Sequence, residues 1–156
     1  MTYSIVARDP ATGELGVAVQ SHWFSVGSVV VGGLAGVGAI ATQASSNRSF
    51  KHLGLGMLRD GMTAAEASLA LRKGDPAIEH RQFAIVDASG RAVAFTGSAC
   101  MGEAGQYSGD GFTCQANIMR NDTVWATMAR TFEQSSGTLT SRLLAALDAA
   151  QGAGGD

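Results

Sequence analysis

The sequence begins MTYSIVARDP, and its second residue is the first that could do chemistry. Met1 is normally removed when the residue behind it is small, and threonine is small enough. Removal would leave Thr2 with a free amine and a hydroxyl on adjacent carbons, a nucleophile that carries its own base. The hydroxyl would attack a carbonyl carbon while the amine takes its proton. An ordinary α-amine titrates at about 7.7–8.0, so only about one in seven is free base at pH 7. A cation or donor nearby would lower that value. Arg8 is the closest cation along the chain, although a solvated hairpin charge would look the same. The plain alternative for Thr2 is a β-branched residue heading a strand.

Other residues could share a site with it. Gln43 and Asn47, in ATQASSN, fall where a strand gives way to a helix, and a helix start offers N–H groups to an anion or a carbonyl oxygen. Glu103, in ACMGEAG, is expected on a Gly-rich loop and could touch substrate or simply face solvent. GVGAIA matches the Ala-ended dinucleotide fingerprint, but that mechanism needs the glycines to follow a strand and open a helix. Here they precede the strand-like AIATQ, so nucleotide binding is disfavoured. His22, His52 and His80 are scattered, and Cys100 and Cys114 are too few for a metal cluster or a disulfide scaffold. No metal and no cofactor are expected.

Composition narrows the classes. A length of 156 residues with 46% hydrophobic and 15% charged content fits one globular domain spanning 1–156. The net charge of −2 without a basic block argues against capture of nucleic acid or an anionic membrane. VGSVVVGGLAGVGAIATQA is rich in Gly and β-branched residues and reads as buried strands rather than a membrane span. With no basic segment followed by an apolar run, a secretion signal is not expected and the cytoplasm is the expected compartment. The low charge fraction, with Trp23, Phe24 and Val26 after the second strand, suggests a surface covered by another copy, hence a homo-oligomer.

The elements that must position these residues come in blocks. Tyr3 to Ala7 and Gly16 to Val19 flank RDPATGEL and read as a hairpin. Val29 to Val31 and Val37 to Gln43 read as two more strands. Then SFKHLGLGMLRDG and TAAEASLALRKGDP predict two helices, the second with Thr63 and Glu66 in a capping-box pattern. Gln82 to Val86 and Ala92 to Thr96 flank DASGR as a second hairpin, and Phe112 to Ile118 adds a strand. NDTVWATMARTFEQ, capped at Asn121 or Asp122, and TLTSRLLAALDAAQ, capped at Thr138, predict two final helices. Strands, two helices, strands, two helices is not a βαβ alternation. It predicts an α+β fold of antiparallel sheets covered by helices.

MTYSIVARDPATGELGVAVQS, GVGAIATQA, HRQFAIVDASGRAVAFTG and LLAALDAAQGAGGD together resemble one bacterial and archaeal family, the ten-twenty-eight domain of unknown function. The similarity covers nearly the whole chain. The resemblance implies a four-layer αββα sandwich like that of the N-terminal-nucleophile hydrolases, with Thr2 at the start of a central strand. Relatives continue past the GGD, so C-terminal strands found in them are expected to be missing here. The family has no settled activity, and a shared fold does not fix function. For the site, the resemblance implies an oxyanion role for Asn117, in CQANIM, because related hydrolases use an Asn amide this way; a strand-edge Asn bonded to backbone is the alternative. It also places Gln20 and Ser21 near the nucleophile, against simple burial with satisfied polar groups. The expected catalytic residues are thus Thr2 and Asn117, and the expected substrate contacts Gln20, Ser21, Gln43 and Asn47. Two functions remain open: a hydrolase of small amides or other carbonyl–nitrogen bonds, and a catalytically silent relative that binds a small molecule or serves as an assembly subunit. Removal of Met1 discriminates between them.

Overall fold

The computed structural model describes residues 1–155. Two four-stranded antiparallel sheets form its centre. The first runs β2 (Leu15–Ser21), β1 (Thr2–Arg8), β8 (Phe112–Met119), β7 (Glu103–Gly109); the second runs β3 (Val31–Leu34), β4 (Gly38–Ala44), β5 (Arg81–Asp87), β6 (Ala92–Thr96). Helices α2 (Ser49–Arg59) and α3 (Ala64–Gly74) cover the second sheet, and α4 (Val124–Gln134) and α5 (Leu139–Gly152) cover the first. A short helix α1 (Val26–Val30) follows β2. Among the described residues no helix is long and apolar enough to cross a membrane.

Three apolar layers follow from strand alternation. On β1, Tyr3, Ile5 and Ala7 pack with Phe112, Cys114 and Ala116 of β8 against α4 and α5. On the second sheet, Ile40, Phe83 and Ile85 pack against α2 and α3. Between the sheets lie Val6, Ala39, Ala41, Ala84 and Val86. Central strands buried on both faces lose the polar alternation of a half-exposed strand, which is why YSIVA and QFAIVD read as nearly continuous apolar runs.

Several local expectations are realised in detail. Thr63 and Glu66 form both bonds of the capping box, and Thr138 caps α5 through the Ser141 N–H. Others are corrected. Val29 and Val30 are helical rather than extended, and the strand begins only at Val31. Thr123 is the N-cap of α4; Asn121 instead accepts from the Thr123 N–H and hydroxyl. The stretch around Glu103 is strand β7, not a loop. Gly36 and Gly38 serve the β3–β4 hairpin, so the GVGAIA glycines open a strand rather than a helix.

Candidate functional site

Antiparallel pairing brings several strand ends to one end of the sandwich. Thr2 at the start of β1 is paired with Ser21 at the end of β2 and with Asn117 near the end of β8. On the facing sheet, Gln43 near the end of β4 pairs with Gln82 near the start of β5. The inward side chains change in character along the sandwich. Val6 and Thr113 stand in register, as do Ala39 and Val86; next come Ser4 with Gln115 and Ala41 with Ala84; last come Thr2 with Asn117 and Gln43 with Gln82. An apolar interior therefore grades into a layer of amides and hydroxyls.

The amides bond to one another, with Gln115 Oε1 left buried and unpartnered. Gln82, fully buried, accepts at Oε1 from Gln43 Nε2 at 2.7 Å and Asn117 Nδ2 at 3.0 Å. Its Nε2 donates to the Ala116 carbonyl at 2.9 Å and Thr96 Oγ1 at 2.8 Å. Gln43 Oε1 accepts from the Ser4 hydroxyl at 2.6 Å, which in turn accepts from Gln115 Nε2 at 2.6 Å. Buried polar groups are costly unless partnered, so such a network fixes its members in place. Asn117 is thereby held by one N–H, leaving its second amide hydrogen free to be used.

A cleft of about 780 Å³ opens at this end, and Thr2, Ser21, Gln43 and Asn117 all line it. Within it the hydroxyls of Thr2 and Ser21 lie 2.9 Å apart and both meet the Met1 carbonyl oxygen, Thr2 at 2.8 Å and Ser21 at 2.6 Å. The Trp23 N–H donates to Ser21 Oγ at 3.1 Å. Gln20 and Asn47 lie outside the cleft. Gln20 is in register with Tyr3, on the opposite strand face from Thr2 and Ser21. Asn47 donates to Asp75 at 2.9 Å and accepts from the Ser49 N–H. Arg8 ends β1, at the opposite end of the strand from Thr2, and Glu103 is likewise outside the lining.

Strain gathers here too. Among the described residues three non-glycines have positive φ: Ser25 at 54°, Ala44 at 61° and Ile118 at 59°. Ala44 and Ile118 line the cleft, and Ser25 lies between the lining residues Phe24 and Val26. A β-branched residue in that region is a rare conformer, and such outliers cluster at functional sites. Ile118 follows Asn117 directly and faces the β7 irregularity between Glu103 and Gly105.

The lining includes residues that the chain order does not bring to notice. Arg48, His80, Cys100 and Met101 all reach it. The loop bearing Cys100 and Met101 is held on the start of β5: the Gly97 N–H donates to Arg81 and the Ala99 N–H to Glu79. A Cβ at Gly97 would collide with the Glu79 carbonyl, so only glycine allows this approach. Burial pushes the Cys100 thiol up and its Sγ donates to the Arg81 carbonyl, both of which disfavour the thiolate that a cysteine nucleophile needs. The signal that could have flagged Gln82 is the one that flagged Asn117, an amide inside an apolar strand. Among the described residues no group of three or more His, Cys, Asp or Glu is placed to hold a metal ion.

Known proteins resemble this chain as follows. Residues 2–156 match the model of a family of unknown function, DUF1028. The crystal structure of protein SPO2555 from Silicibacter pomeroyi, assigned to the same family, is 35% identical, with a TM-score of 0.94 over 98% of this chain and 68% of that one. No curated protein matches.

Proposed function

This chain belongs to the DUF1028 family, whose function is not established, and from that footing we propose that it is an N-terminal-nucleophile hydrolase of small amides or related carbonyl–nitrogen bonds, active once Met1 is lost. The observation that carries the proposal is the meeting of the Thr2 and Ser21 hydroxyls on the Met1 carbonyl oxygen inside the cleft. A single residue separates Thr2 from a free amine. Its loss takes the carbonyl away, releases both hydroxyls and exposes the amine at the same point.

The chemistry then balances. The Thr2 hydroxyl attacks the substrate carbonyl carbon and its proton passes to the α-amine. The oxyanion that forms is met by the remaining Asn117 N–H and the freed Ser21 hydroxyl. Collapse breaks the C–N bond, the amine's proton going to the leaving nitrogen. Water, activated by the same amine, then cleaves the ester on Thr2 and regenerates the hydroxyl.

The test begins with mass spectrometry of protein made in cells, which should show the chain starting at Thr2. That protein should turn over members of an amide panel. Thr2→Ala should abolish turnover with the fold intact, and Thr2→Ser should retain part of it. Asn117→Ala should lower kcat about a hundredfold, the usual loss for one oxyanion donor. Turnover by a chain with Met1 still attached would overturn the mechanism, because an amide nitrogen cannot accept the proton.

A further inference from the structure

We infer that the cleft selects amides that carry a carboxylate as well as an apolar group, N-acyl amino acids being the simplest such class. The inference rests on the hydrolase reading for the word amide, but its charge preference stands on the lining alone.

The chain has more acids than bases, 13 against 11, yet among the described residues no Asp or Glu lines the cleft, and Arg48 is the one Lys or Arg that does. None of the ion pairs among the described residues engages Arg48. Asp75, bonded to the residue before Arg48, and Glu79, the residue before His80, are already committed. Asp75 is held by Arg81 at 3.0 Å and Asn47 at 2.9 Å, and Glu79 by the Ser98 N–H and hydroxyl. An exposed arginine at the edge of a cleft lined by no described carboxylate is matched by one brought in on the ligand, since its planar fork fits a carboxylate with two parallel hydrogen bonds.

Donors beside it extend the match. Ser45 Oγ accepts from Arg81 Nη1 at 3.0 Å, which leaves its own hydrogen to be donated into the cleft. His80, the residue before β5, lines the same side and adds an imidazole. The remaining lining is of a different kind. Trp23, Phe24 and Met101 are 68%, 93% and 70% exposed, an apolar mouth that gains by covering itself with an acyl or aryl group. The volume of about 780 Å³ falls within the roughly 300–1,000 Å³ range of small-molecule sites. The cleft thus offers Thr2 together with an anion-seeking side and an apolar side, and one molecule with a carboxylate, an amide and an apolar acyl group uses all of them.

The experiment measures binding apart from turnover. Full-length protein lacking Met1 and carrying Thr2→Ala is titrated calorimetrically with N-phenylacetylglycine, with its neutral carboxamide and with the cationic N-phenylacetylethylenediamine. The acid should bind about tenfold more tightly than the carboxamide, the size expected for one partly solvated charge-assisted contact, and the cation should bind most weakly. Arg48→Ala should bring the acid down to the carboxamide's affinity and leave the carboxamide unchanged, and Arg48→Lys should restore part of the difference. Equal or reversed preference, an acid preference indifferent to Arg48→Ala, or no binding of the acid would overturn the inference. Acid-selective binding by a protein whose Thr2 form hydrolyses nothing would instead remove the hydrolase reading and leave the ligand class standing.

Discussion

Gln82 offers the sharpest test of how the site is held. Its amide is fully buried and joins two sheets: Gln43 and Asn117 donate to its Oε1, while its Nε2 donates to Thr96 and Ala116. Gln82→Leu keeps nearly the same volume and removes every one of these bonds. Two donors lose their acceptor. Gln43 Nε2 retains a long contact to the Gln115 carbonyl at 3.4 Å, and Asn117 Nδ2 is left with the open cleft. Each buried donor without a partner costs about 1–3 kcal/mol, so the loss should be about 2–6 kcal/mol. That is a large part of the ~5–15 kcal/mol that holds a domain together. For a chain of this length it should lower Tm by about 4–24 °C, read by circular dichroism or calorimetry. Gln82→Leu should also free Asn117 to rotate, so kcat on any amide that the protein cleaves should fall more than KM rises. A fall in Tm of less than about 2 °C, meaning less than ~1 kcal/mol, would refute the claim that this network supports the site.

Three further outcomes are expected. The Asn47 amide, followed by the Ala77 N–H and Arg81, holds the Asp75 carboxyl below its ordinary value against the opposing effect of burial; a depressed folded-state pKa stabilises fully above the unfolded value of about 3.9 and is lost as pH falls through the folded value. Urea midpoints compared between pH 6 and pH 2 should therefore drop less in Asp75→Asn than in the parent, and identical drops would count against it. Ala44→Gly should raise Tm by up to about 6 °C, because relief of left-handed strain (~1–2 kcal/mol) outweighs the extra freedom that glycine gives the unfolded chain (~0.4–1 kcal/mol); a lower Tm would sink the idea. Self-association is proposed through the exposed Trp23 and Phe24, so sedimentation at micromolar concentration should show a multimer that Trp23→Ser with Phe24→Ser converts to monomer, and a monomeric parent would end the proposal.

Local chemistry alone was enough to specify much of this protein. The Thr63–Glu66 capping box, the Thr138 cap and the β5–β6 hairpin at DASGR are set by residues within a few positions of one another, so their physics is complete in the sequence. The grouping of strands and helices into blocks likewise specified antiparallel sheets covered by helices. The valines of α1 misled because β-branched side chains favour strands, and five residues are too few to show a helical period. Strand β7, EAGQYSG, was invisible because an edge strand gains its place from backbone pairing with β8 and keeps polar, exposed side chains.

The cleft belongs to the tertiary structure. Thr2, Ser21, Gln43, Arg48, His80, Cys100 and Asn117 come from segments far apart in the chain, and only sheet register decides which of two neighbours faces inward. Ser21 lines the cleft and Gln20 does not, because successive side chains on a strand point to opposite faces and Ser21 is the one paired with Thr2. Gln82 could be seen in the sequence as an amide in an apolar strand, but not as the residue that ties Gln43 to Asn117. Those contacts span 39 and 35 residues, and nothing short of packing one sheet on the other brings them within hydrogen-bonding distance.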